Sequence, residues 1–279
     1  MAHRPGRAEA VAAARAEYTR WLESAHGPAH ARRTAERNAA FFLPHIKPGM
    51  ALLDGGCGPG SITLGLAQAV APGHVTGVDV SASALERARA LADERGVTNV
   101  TFEQHHLRSL PYPDGTFDAV FVHAVLQHVA EPGRVVAELF RVLKPGGVIG
   151  VADADFDGFI CWPDDPLIAR STEVLTAARL EGDPRIGRRL RALLVEAGFE
   201  RAAGMVAAGA EGEPAIVALT GDSWAQRFAA APFVAYAEAA GIADRREMLA
   251  ISEAWRRWGQ HPGAFAARFW CQALGWKPA

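Results

Sequence analysis

The segment 51–61 places the strongest constraint on how this chain can fold. It reads ALLDGGCGPGS, an apolar run that ends at Asp54 and is followed by glycines at Gly56, Gly58 and Gly60. Helix-forming residues come next, so the pattern predicts a strand, a tight bend and a helix. Glycine allows a positive φ and lets a ligand lie against the backbone, and the helix N-terminus presents free N–H groups. The segment therefore predicts a nucleotide-binding bend.

A second apolar run, His74–Asp79, also ends in a carboxylate. Asp79 follows the glycines at about the distance where dinucleotide-binding folds place the acid that binds ribose hydroxyls. The glycine spacing is G-x-G-x-G rather than the G-x-G-x-x-G that seats a pyrophosphate, so a nucleoside without phosphates fits better. Glycine-rich bends also bind NAD, FAD and phosphates, and an NAD(P)-dependent oxidoreductase stays a less favoured alternative.

Strand and helix patterns alternate from Met50 onward. This alternation predicts an α/β fold with a doubly wound, mainly parallel sheet, because right-handed crossovers place helices on both faces. Helical patterns at Ala8–Glu23 and Ala31–Leu43 come before the sheet, and a helix-rich tail runs from Ser223 to Gly275. The predicted strands are Ala51–Asp54, His74–Asp79, Val100–Gln104, Phe117–Val122, Val148–Asp153 and Glu200–Ala207.

Four segments together resemble the class I S-adenosylmethionine-dependent methyltransferases, specifically their quinone-biosynthesis-like group. They are 54–60, Asp79, 110–118 (LPYPDGTFD) and 141–147 (RVLKPGG), and Gly55 stands where that family usually has Val or Ile. The resemblance implies a Rossmann-like methyltransferase fold that binds S-adenosyl-L-methionine and releases S-adenosyl-L-homocysteine. The implied activity is methyl transfer to an O, N or C nucleophile of a small organic molecule. A protein of this fold that binds the cofactor without methylating is a further alternative.

The resemblance also implies which residues contact the cofactor. His106 stands where the family commonly has an acid that contacts the adenine amino group, and a pair of surface histidines is the alternative reading of that segment. The preceding helices of related enzymes cover the cofactor, although packing or surface roles explain their residues equally well. The predicted cofactor-binding residues are Asp54, Gly55, Gly56, Gly58, Gly60, Asp79, Val80, His106, Leu107, His123, Tyr18 and Arg33, with His26 and Thr34 as further lid residues.

Catalytic and acceptor-binding residues are predicted after the fourth and fifth strands. His123 follows the fourth strand, where such enzymes face both cofactor and substrate, and imidazole suits proton removal near neutral pH. His128 is a candidate substrate contact, with a structural role as its alternative. Asp153 is a candidate catalytic residue, and with Phe156 and Trp162 it is expected to line the acceptor pocket. No metal site is predicted.

The composition of the chain restricts the classes of binding partner that we expect. A formal net charge of −2 offers no broad basic surface for a phosphate backbone, so the expected partner is a small-molecule methyl acceptor and not nucleic acid. The three cysteines are far apart and form no C-x-x-C pair, which predicts neither disulfides nor structural zinc and indicates a cytoplasmic location. No apolar run approaches transmembrane length, so no membrane association is expected. A homodimer is compatible with the aromatic-rich tail.

Three consecutive domains are predicted. Residues 1–44 form an N-terminal helical lid, and residues 45–221 form the S-adenosylmethionine-binding methyltransferase domain. Residues 222–279 form a helical C-terminal extension, in which the aromatic side chains serve as core, dimer contact or substrate lid.

Overall fold

The computed structural model describes residues 6–25, 33–179 and 181–279. Its helices are α1 (Arg7–Ala25), α2 (Ala35–Asn38), α3 (Ser61–Val70), α4 (Ala82–Arg95), α5 (Pro132–Val142), α6 (Pro166–Ala177), α7 (Leu190–Glu196), α8 (Pro214–Ala229), α9 (Ala231–Ala240) and α10 (Arg245–Gln260). Its strands are β1 (Ala51–Gly55), β2 (His74–Asp79), β3 (Val100–Gln104), β4 (Phe117–His123), β5 (Leu143–Trp162), β6 (Glu200–Glu211) and β7 (Phe265–Trp276). Short 3₁₀ turns lie at Leu43–His45, Leu126–His128 and Ile186–Arg189.

The strands form one seven-stranded sheet in the order β3-β2-β1-β4-β5-β7-β6. Strand β1 pairs in parallel with β2 and β4, β2 pairs in parallel with β3, and β4 pairs in parallel with β5. Parallel pairing brings the carboxyl ends of β1, β2, β3 and β4 to the same edge of the sheet. The predicted doubly wound, mainly parallel sheet is confirmed.

Both faces of the sheet are covered by helices. Leu52 and Leu53 are consecutive on β1 and therefore point to opposite faces. Leu53 packs in a core with Val136 and Leu139 of α5, whereas Leu52 packs in a separate core with Leu66 of α3. Burial on both sides explains why these strands read as continuous apolar runs rather than as alternating ones.

The chain divides into two compact units, each assembled from several stretches. Unit 1 comprises residues 1–26, 156–180 and 208–269. Unit 2 comprises residues 27–155, 181–207 and 270–279. The units interleave along the chain, whereas the predicted domains 1–44, 45–221 and 222–279 follow one another.

Unit 1 has its own core, built mainly from helices. The interior side chains of α8, α9 and α10 are joined there by Tyr18 of α1, whose ring stacks on Phe233 at a centroid distance of 4.7 Å. Trp255 of α10 is also fully buried and stacks on Trp224 at 5.7 Å. Core packing therefore accounts for much of the aromatic content of the tail.

The prediction of helix is wrong for the last part of the tail. Helices do occupy the tail as far as Gln260, but Phe265–Trp276 is strand β7, which lies between β5 and β6 in the sheet. The helical pattern stops at His261-Pro262-Gly263, and the mixture of Ala, Phe and Trp that follows has no decisive period. Hydrogen bonds to neighbouring strands, which the sequence does not display, settle the conformation.

The predicted helix Ala31–Leu43 is also too long. In its described part only Ala35–Asn38 is α-helical, and a 3₁₀ turn follows at Leu43–His45, where Pro44 interrupts the backbone hydrogen bonding. Strand β5, by contrast, is longer than predicted: it runs past the predicted end at Asp153 and reaches Trp162.

Two further observations concern the described residues as a whole. None of the helices in the described ranges is both long and apolar enough to cross a lipid bilayer. Cys57, Cys161 and Cys271 are free thiols, and burial raises the pKa of each of them.

Candidate functional site

The glycine bend after β1 is fixed by the end of β2. The backbone N–H groups of Gly56 and Cys57 both donate to the carbonyl oxygen of Val78, at 2.7 and 3.0 Å. Gly56 has a φ of +74°, and a Cβ atom there would lie 2.2 Å from Cγ2 of Val125. The bend thus requires glycine both for its dihedral angle and for the close approach of the loop after β4.

Open space lies beside the middle of the bend. Gly58 has a φ of +53°, and a Cβ atom built there has no other atom within 4 Å. Gly60, with a φ of +79°, is the N-cap of α3, so the first N–H groups of that helix follow the bend directly. The arrangement is a backbone cradle with room for a ligand, which is what the glycine spacing predicts.

Asp79 ends β2 beside this cradle. Its Oδ2 atom accepts a hydrogen bond from Gly58 N, and its Oδ1 atom accepts one from Ser81 N, both at 2.9 Å. These two donors hold the carboxylate in one orientation, and each oxygen keeps a lone pair for a further donor. A pair of vicinal hydroxyls, as on a ribose, matches this carboxylate.

Asp54 lies under the bend rather than in the open. It is 3% exposed, and Thr63 from the first turn of α3 donates its hydroxyl to Oδ2 at 2.6 Å. Burial raises the pKa of Asp54 to about 7, with Thr63 opposing the rise and Asp79 adding to it. The carboxyl group therefore titrates near neutral pH and is ideally placed to hold the start of α3 against β1.

The remaining predicted cofactor residues surround the ends of β1, β2 and β3. Leu107 is buried, and its two Cδ atoms would lie 3.2 Å from a Cβ at Gly55, so Leu107 fills the space that a larger residue would take at that position. Val80 is exposed, and its carbonyl accepts from the Gln104 side chain. His106 is also exposed and pairs through its backbone with Ser109. The adenine contact of His106 stays a prediction.

His123, at the end of β4, is buried and held by two neighbours. Its ring stacks on Trp270 of β7 at a centroid distance of 4.6 Å, and its Nε2 atom lies 3.2 Å from the Asn38 side-chain nitrogen. The backbone N–H of Thr34 donates to Oδ1 of Asn38 at 3.1 Å, which identifies the atom facing His123 as the amide nitrogen, a donor. Nε2 therefore accepts, and the neutral ring carries its proton on Nδ1. The role of His123 as a base or an acceptor contact stays a prediction.

Arg33 and Asp153 complete this part of unit 2. The Arg33 guanidinium lies over the Trp270 ring at 5.5 Å, and burial lowers its pKa to about 10 while Asp153 opposes the change. Asp153 is fully buried, and its Oδ2 atom accepts from Leu126 N at 2.9 Å. Asp153 thus holds the turn that follows His123, which is a positioning role. Its predicted catalytic role remains a prediction.

The next acid along β5 is already paired. Asp155 receives two hydrogen bonds from the Arg188 guanidinium, at 2.6 and 2.8 Å. No group of three or more His, Cys, Asp and Glu side chains within the described ranges is arranged to hold a metal ion.

The predicted acceptor and lid residues are placed as follows. His128 is exposed on the 3₁₀ turn Leu126–His128 of unit 2. Phe156 belongs to unit 1, where it lines a cleft of about 580 Å³ with the Arg179 guanidinium 4.5 Å above its ring. Trp162 is also in unit 1; its ring is exposed, and its carbonyl accepts from Nε1 of Trp258. Tyr18 is 2% exposed, and its hydroxyl oxygen accepts from Arg227.

Unit 2 by itself therefore assembles most of the predicted cofactor residues, together with His123, Asp153 and Arg33. His26 lies outside the described residues. Sequence reasoning missed Thr63, Asn38 and Trp270, which hold Asp54 and His123. The sequence did contain a signal for the contact between Thr63 and Asp54, because a hydroxyl in the first turn of a predicted helix can reach back to the strand before it. Thr63 stands in such a turn. Asn38 and Trp270 offered none, since each meets His123 only through the tertiary fold.

The raised pKa of Asp54 leads to a pH-dependent prediction for stability. An Asp in the unfolded chain has a pKa near 4, so between pH 4 and 7 folding is accompanied by the uptake of a proton at Asp54. The free energy of unfolding therefore falls as the pH rises through that range. The variant Asp54→Asn keeps an acceptor for Thr63 without a charge. Because one pKa unit corresponds to about 1.4 kcal/mol, we expect Asp54→Asn to have the higher Tm at pH 8 by several degrees and to lose that advantage at pH 5.

Thermal unfolding of the ligand-free protein at the two pH values measures this difference. Asp93→Asn, at an exposed position on α4, serves as the control and should change Tm equally little at both. An Asp54→Asn effect that is the same at pH 5 and pH 8 would contradict the neutral-range titration of Asp54.

Comparison with known proteins agrees with this geometry. Residues 46–193 match the sequence profile of a family described as "Methyltransferase domain". The matched stretch contains β1 through β5 and the whole glycine bend.

Three relatives illustrate the similarity. A probable methyltransferase of Aspergillus luteorubrus is 43% identical over 43% of this chain and 46% of its own length. An uncharacterized methyltransferase of Schizosaccharomyces pombe is 34% identical over 65% of this chain and 68% of its own. The demethylmenaquinone methyltransferase of Anoxybacillus flavithermus is 37% identical over 42% of this chain and 50% of its own. Apart from the S. pombe protein, the chain spans about half the length of these curated relatives.

Solved structures share the fold. The phosphoethanolamine N-methyltransferase 2 of Haemonchus contortus superimposes with a TM-score of 0.55, over 87% of this chain and 52% of that one, at 18% identity. The family profile and the S. pombe relative, taken with the cradle and carboxylate at the ends of β1 and β2, confirm the predicted resemblance. The chain therefore belongs to the methyltransferases, with its methyltransferase domain at residues 46–193.

Proposed function

We propose that the protein transfers the methyl group of S-adenosyl-L-methionine to an O, N or C nucleophile of a small organic molecule. The observation that carries the proposal is the Asp79 carboxylate, which is oriented by Gly58 N and Ser81 N beside a backbone cradle with open space at Gly58. This combination suits a nucleoside whose ribose carries two free hydroxyls and whose 5′ substituent lacks phosphate.

The residues present fit that cofactor. Asp79 would hold the ribose hydroxyls through the lone pairs that its two backbone donors leave free, and the bend at Gly56, Gly58 and Gly60 would let the cofactor lie against the backbone. The exposed Val80 side chain offers an apolar contact next to Asp79. When bound, the sulfonium supplies an activated methyl group. The relative from H. contortus was solved with S-adenosylhomocysteine, and that likeness of fold supports the same cofactor here.

With activation supplied in this way, the chain's own task is to position the acceptor and exclude water. The stacked rings of His123, at the end of β4, and Trp270, within β7, form a packed wall with the Arg33 guanidinium over Trp270. Asp153 holds the turn beyond His123 through Leu126 N. His123 would act on the acceptor as a hydrogen-bond donor or as a base, two roles that the variants described below separate.

The finer assignments belong to the same proposal. A small-molecule acceptor is supported by the absence of a broad basic surface in the sequence, and Phe156 and Trp162 remain its predicted contacts together with His128. The three free thiols are consistent with a cytoplasmic location. A homodimer and the exclusion of nucleic acid as a partner stay predictions.

Transfer of a labelled methyl group tests the function directly. The purified protein is incubated with methyl-labelled S-adenosylmethionine and a small-molecule extract of its source, and the products are separated. We expect one low-molecular-weight product to carry the label, with formation of S-adenosylhomocysteine. Binding of S-adenosylhomocysteine without any labelled product would favour the non-methylating alternative, and tight NADH binding alone would favour an oxidoreductase.

Asp79 provides the sharpest test of the cofactor site. The variant Asp79→Asn keeps one acceptor for the backbone donors but loses the charge and one acceptor toward the ribose. Loss of charge-assisted hydrogen bonds costs about 2–3 kcal/mol, so S-adenosylhomocysteine should bind about 30- to 150-fold more weakly by calorimetry. The control Asp93→Asn should bind normally, and an unchanged affinity of a folded Asp79→Asn would remove Asp79 from the cofactor site.

His123 separates a donor role from a base role. The amide nitrogen of Asn in His123→Asn stands close to the imidazole Nδ1 position and donates a hydrogen bond but removes no proton at neutral pH. We expect His123→Ala to lower kcat by about 10- to 100-fold while leaving S-adenosylhomocysteine affinity nearly unchanged, and we expect His123→Asn to retain most of the activity. Equal losses in the two variants, with rate increasing with pH in the wild type alone, would instead identify His123 as the base.

A further inference from the structure

Asn38 is not among the residues that the proposed function uses, yet its side chain reaches the predicted catalytic histidine. Its amide nitrogen lies 3.2 Å from Nε2 of His123, although the two residues are 85 positions apart in the sequence. Asn38 is the last residue of α2 and His123 is the last residue of β4, and both belong to unit 2. The contact therefore joins the segment before the sheet to the end of one of its inner strands.

The Asn38 amide is held in one orientation by the start of its own helix. Its Oδ1 atom accepts from the backbone N–H of Thr34, the N-cap of α2, at 3.1 Å. The backbone N–H of Asn38 donates in return to the Thr34 carbonyl oxygen at 2.9 Å. Because a backbone N–H can only donate, the side-chain atom that faces Thr34 is the oxygen, and the amide nitrogen faces His123.

The backbone around Asn38 is packed against the core of unit 2. Ala35, in the same short helix, is buried so close to α3 that a Cβ atom at Gly65 would lie 2.6 Å from the Ala35 Cβ. Phe42 follows Asn38, is fully buried, and lies 5.3 Å from the ring of Phe121 on β4. The position of the Asn38 amide is therefore set by interior packing on both sides along the chain.

The His123 ring is also restrained, but only in its plane. It stacks on the Trp270 ring with an angle of 24° between the two planes. The next residue, Ala124, has a φ of +59°, and its N–H donates to the carbonyl oxygen of Ala152 at 2.8 Å. An alanine in the left-handed region is strained, so the surrounding bonds must hold this path of the chain. Stacking fixes the plane of the imidazole but not the position of its proton.

We propose that Asn38 is a positioning residue whose amide N–H holds His123 in the tautomer with its proton on Nδ1 and its lone pair on Nε2. A neutral imidazole has one donor and one acceptor nitrogen, so a donor facing Nε2 selects this tautomer. Asn38 would act in methyl transfer through His123, so its role rests on the proposed function. Whether His123 serves as donor or base, the tautomer decides which nitrogen gives a proton and which takes one.

Asn38→Asp reverses the contact and keeps the anchor. The carboxylate has the shape of the amide and still accepts from Thr34 N, but it can only accept at Nε2 and therefore favours a proton there. Long-range ¹H–¹⁵N NMR of the ligand-free, ¹⁵N-histidine-labelled protein reports which ring nitrogen is protonated, and His123→Ala identifies the His123 signals. We expect the proton on Nδ1 in the wild type and a proton on Nε2 in Asn38→Asp.

Gln68→Glu is the matched control. Gln68 is exposed on α3 of the same unit, and this substitution also turns a side-chain amide into a carboxylate. It should leave the His123 nitrogen shifts unchanged. A neutral His123 with its proton on Nε2 in the wild type, a readout that needs no variant, overturns the proposal. Identical His123 shifts in the wild type and a folded Asn38→Asp variant overturn it as well.

A double-mutant cycle separates positioning from a purely structural role. We expect Asn38→Asp to slow the formation of labelled product about tenfold at saturating S-adenosylmethionine while S-adenosylhomocysteine affinity stays nearly unchanged. In the His123→Ala background the same substitution should slow it no further, because Asn38 acts only through His123. Losses that simply multiply in the double variant would assign Asn38 to the packing of α2 and contradict the proposal.

The NMR measurement keeps this proposal apart from the proposed function, since it needs neither a methyl donor nor an acceptor. A wild-type proton on Nε2 together with formation of labelled product would overturn the role of Asn38 and leave the methyltransferase proposal standing. A wild-type proton on Nδ1 without any labelled product would contradict the methyltransferase proposal and support the tautomer that Asn38 selects.

Discussion

The hydrogen bonds that join the end of β2 to the glycine bend are the constraint on which the rest of the site depends. Val78 accepts from Gly56 and Cys57, and Asp79 accepts from Gly58, so three successive backbone N–H groups of the bend are tied to two successive residues of β2. These bonds set the path of the bend and the direction of the Asp79 carboxylate at the same time. The cradle and the carboxylate that we propose as the ribose ligand are consequently one structural element, and neither can move without the other.

Local chemistry allowed much of unit 2 to be predicted from the sequence. Strands β2 and β3 begin and end where the sequence predicts, and helix α4 between them begins and ends at residues that are typical of helix ends. The reason is visible at the ends of α4: the Ser81 hydroxyl accepts from Ala84 N, and Gly96 closes the helix with a φ of +63°. The glycine bend was equally predictable, because its positive φ angles restrict the residue type.

Features that depend on contacts distant in sequence could not be read in this way. Strand β7 has no clear period of its own and is decided by its neighbours in the sheet. Asn38 and His123 meet across 85 positions, and Trp270 reaches His123 from the far end of the chain. The proton position on His123 depends on those contacts. Residue type alone suggests a base, whereas the hydrogen bond to Asn38 is a contact that the sequence does not display.

The central claim is that the cofactor binds between the glycine bend and Asp79. A crystal structure of the protein with S-adenosylhomocysteine would test this position directly. The account predicts both ribose hydroxyls within hydrogen-bond distance of the two Asp79 oxygens, with the chain of the ligand passing over Gly58. An empty cradle in crystals that contain the ligand elsewhere, or a dinucleotide in its place, would contradict it.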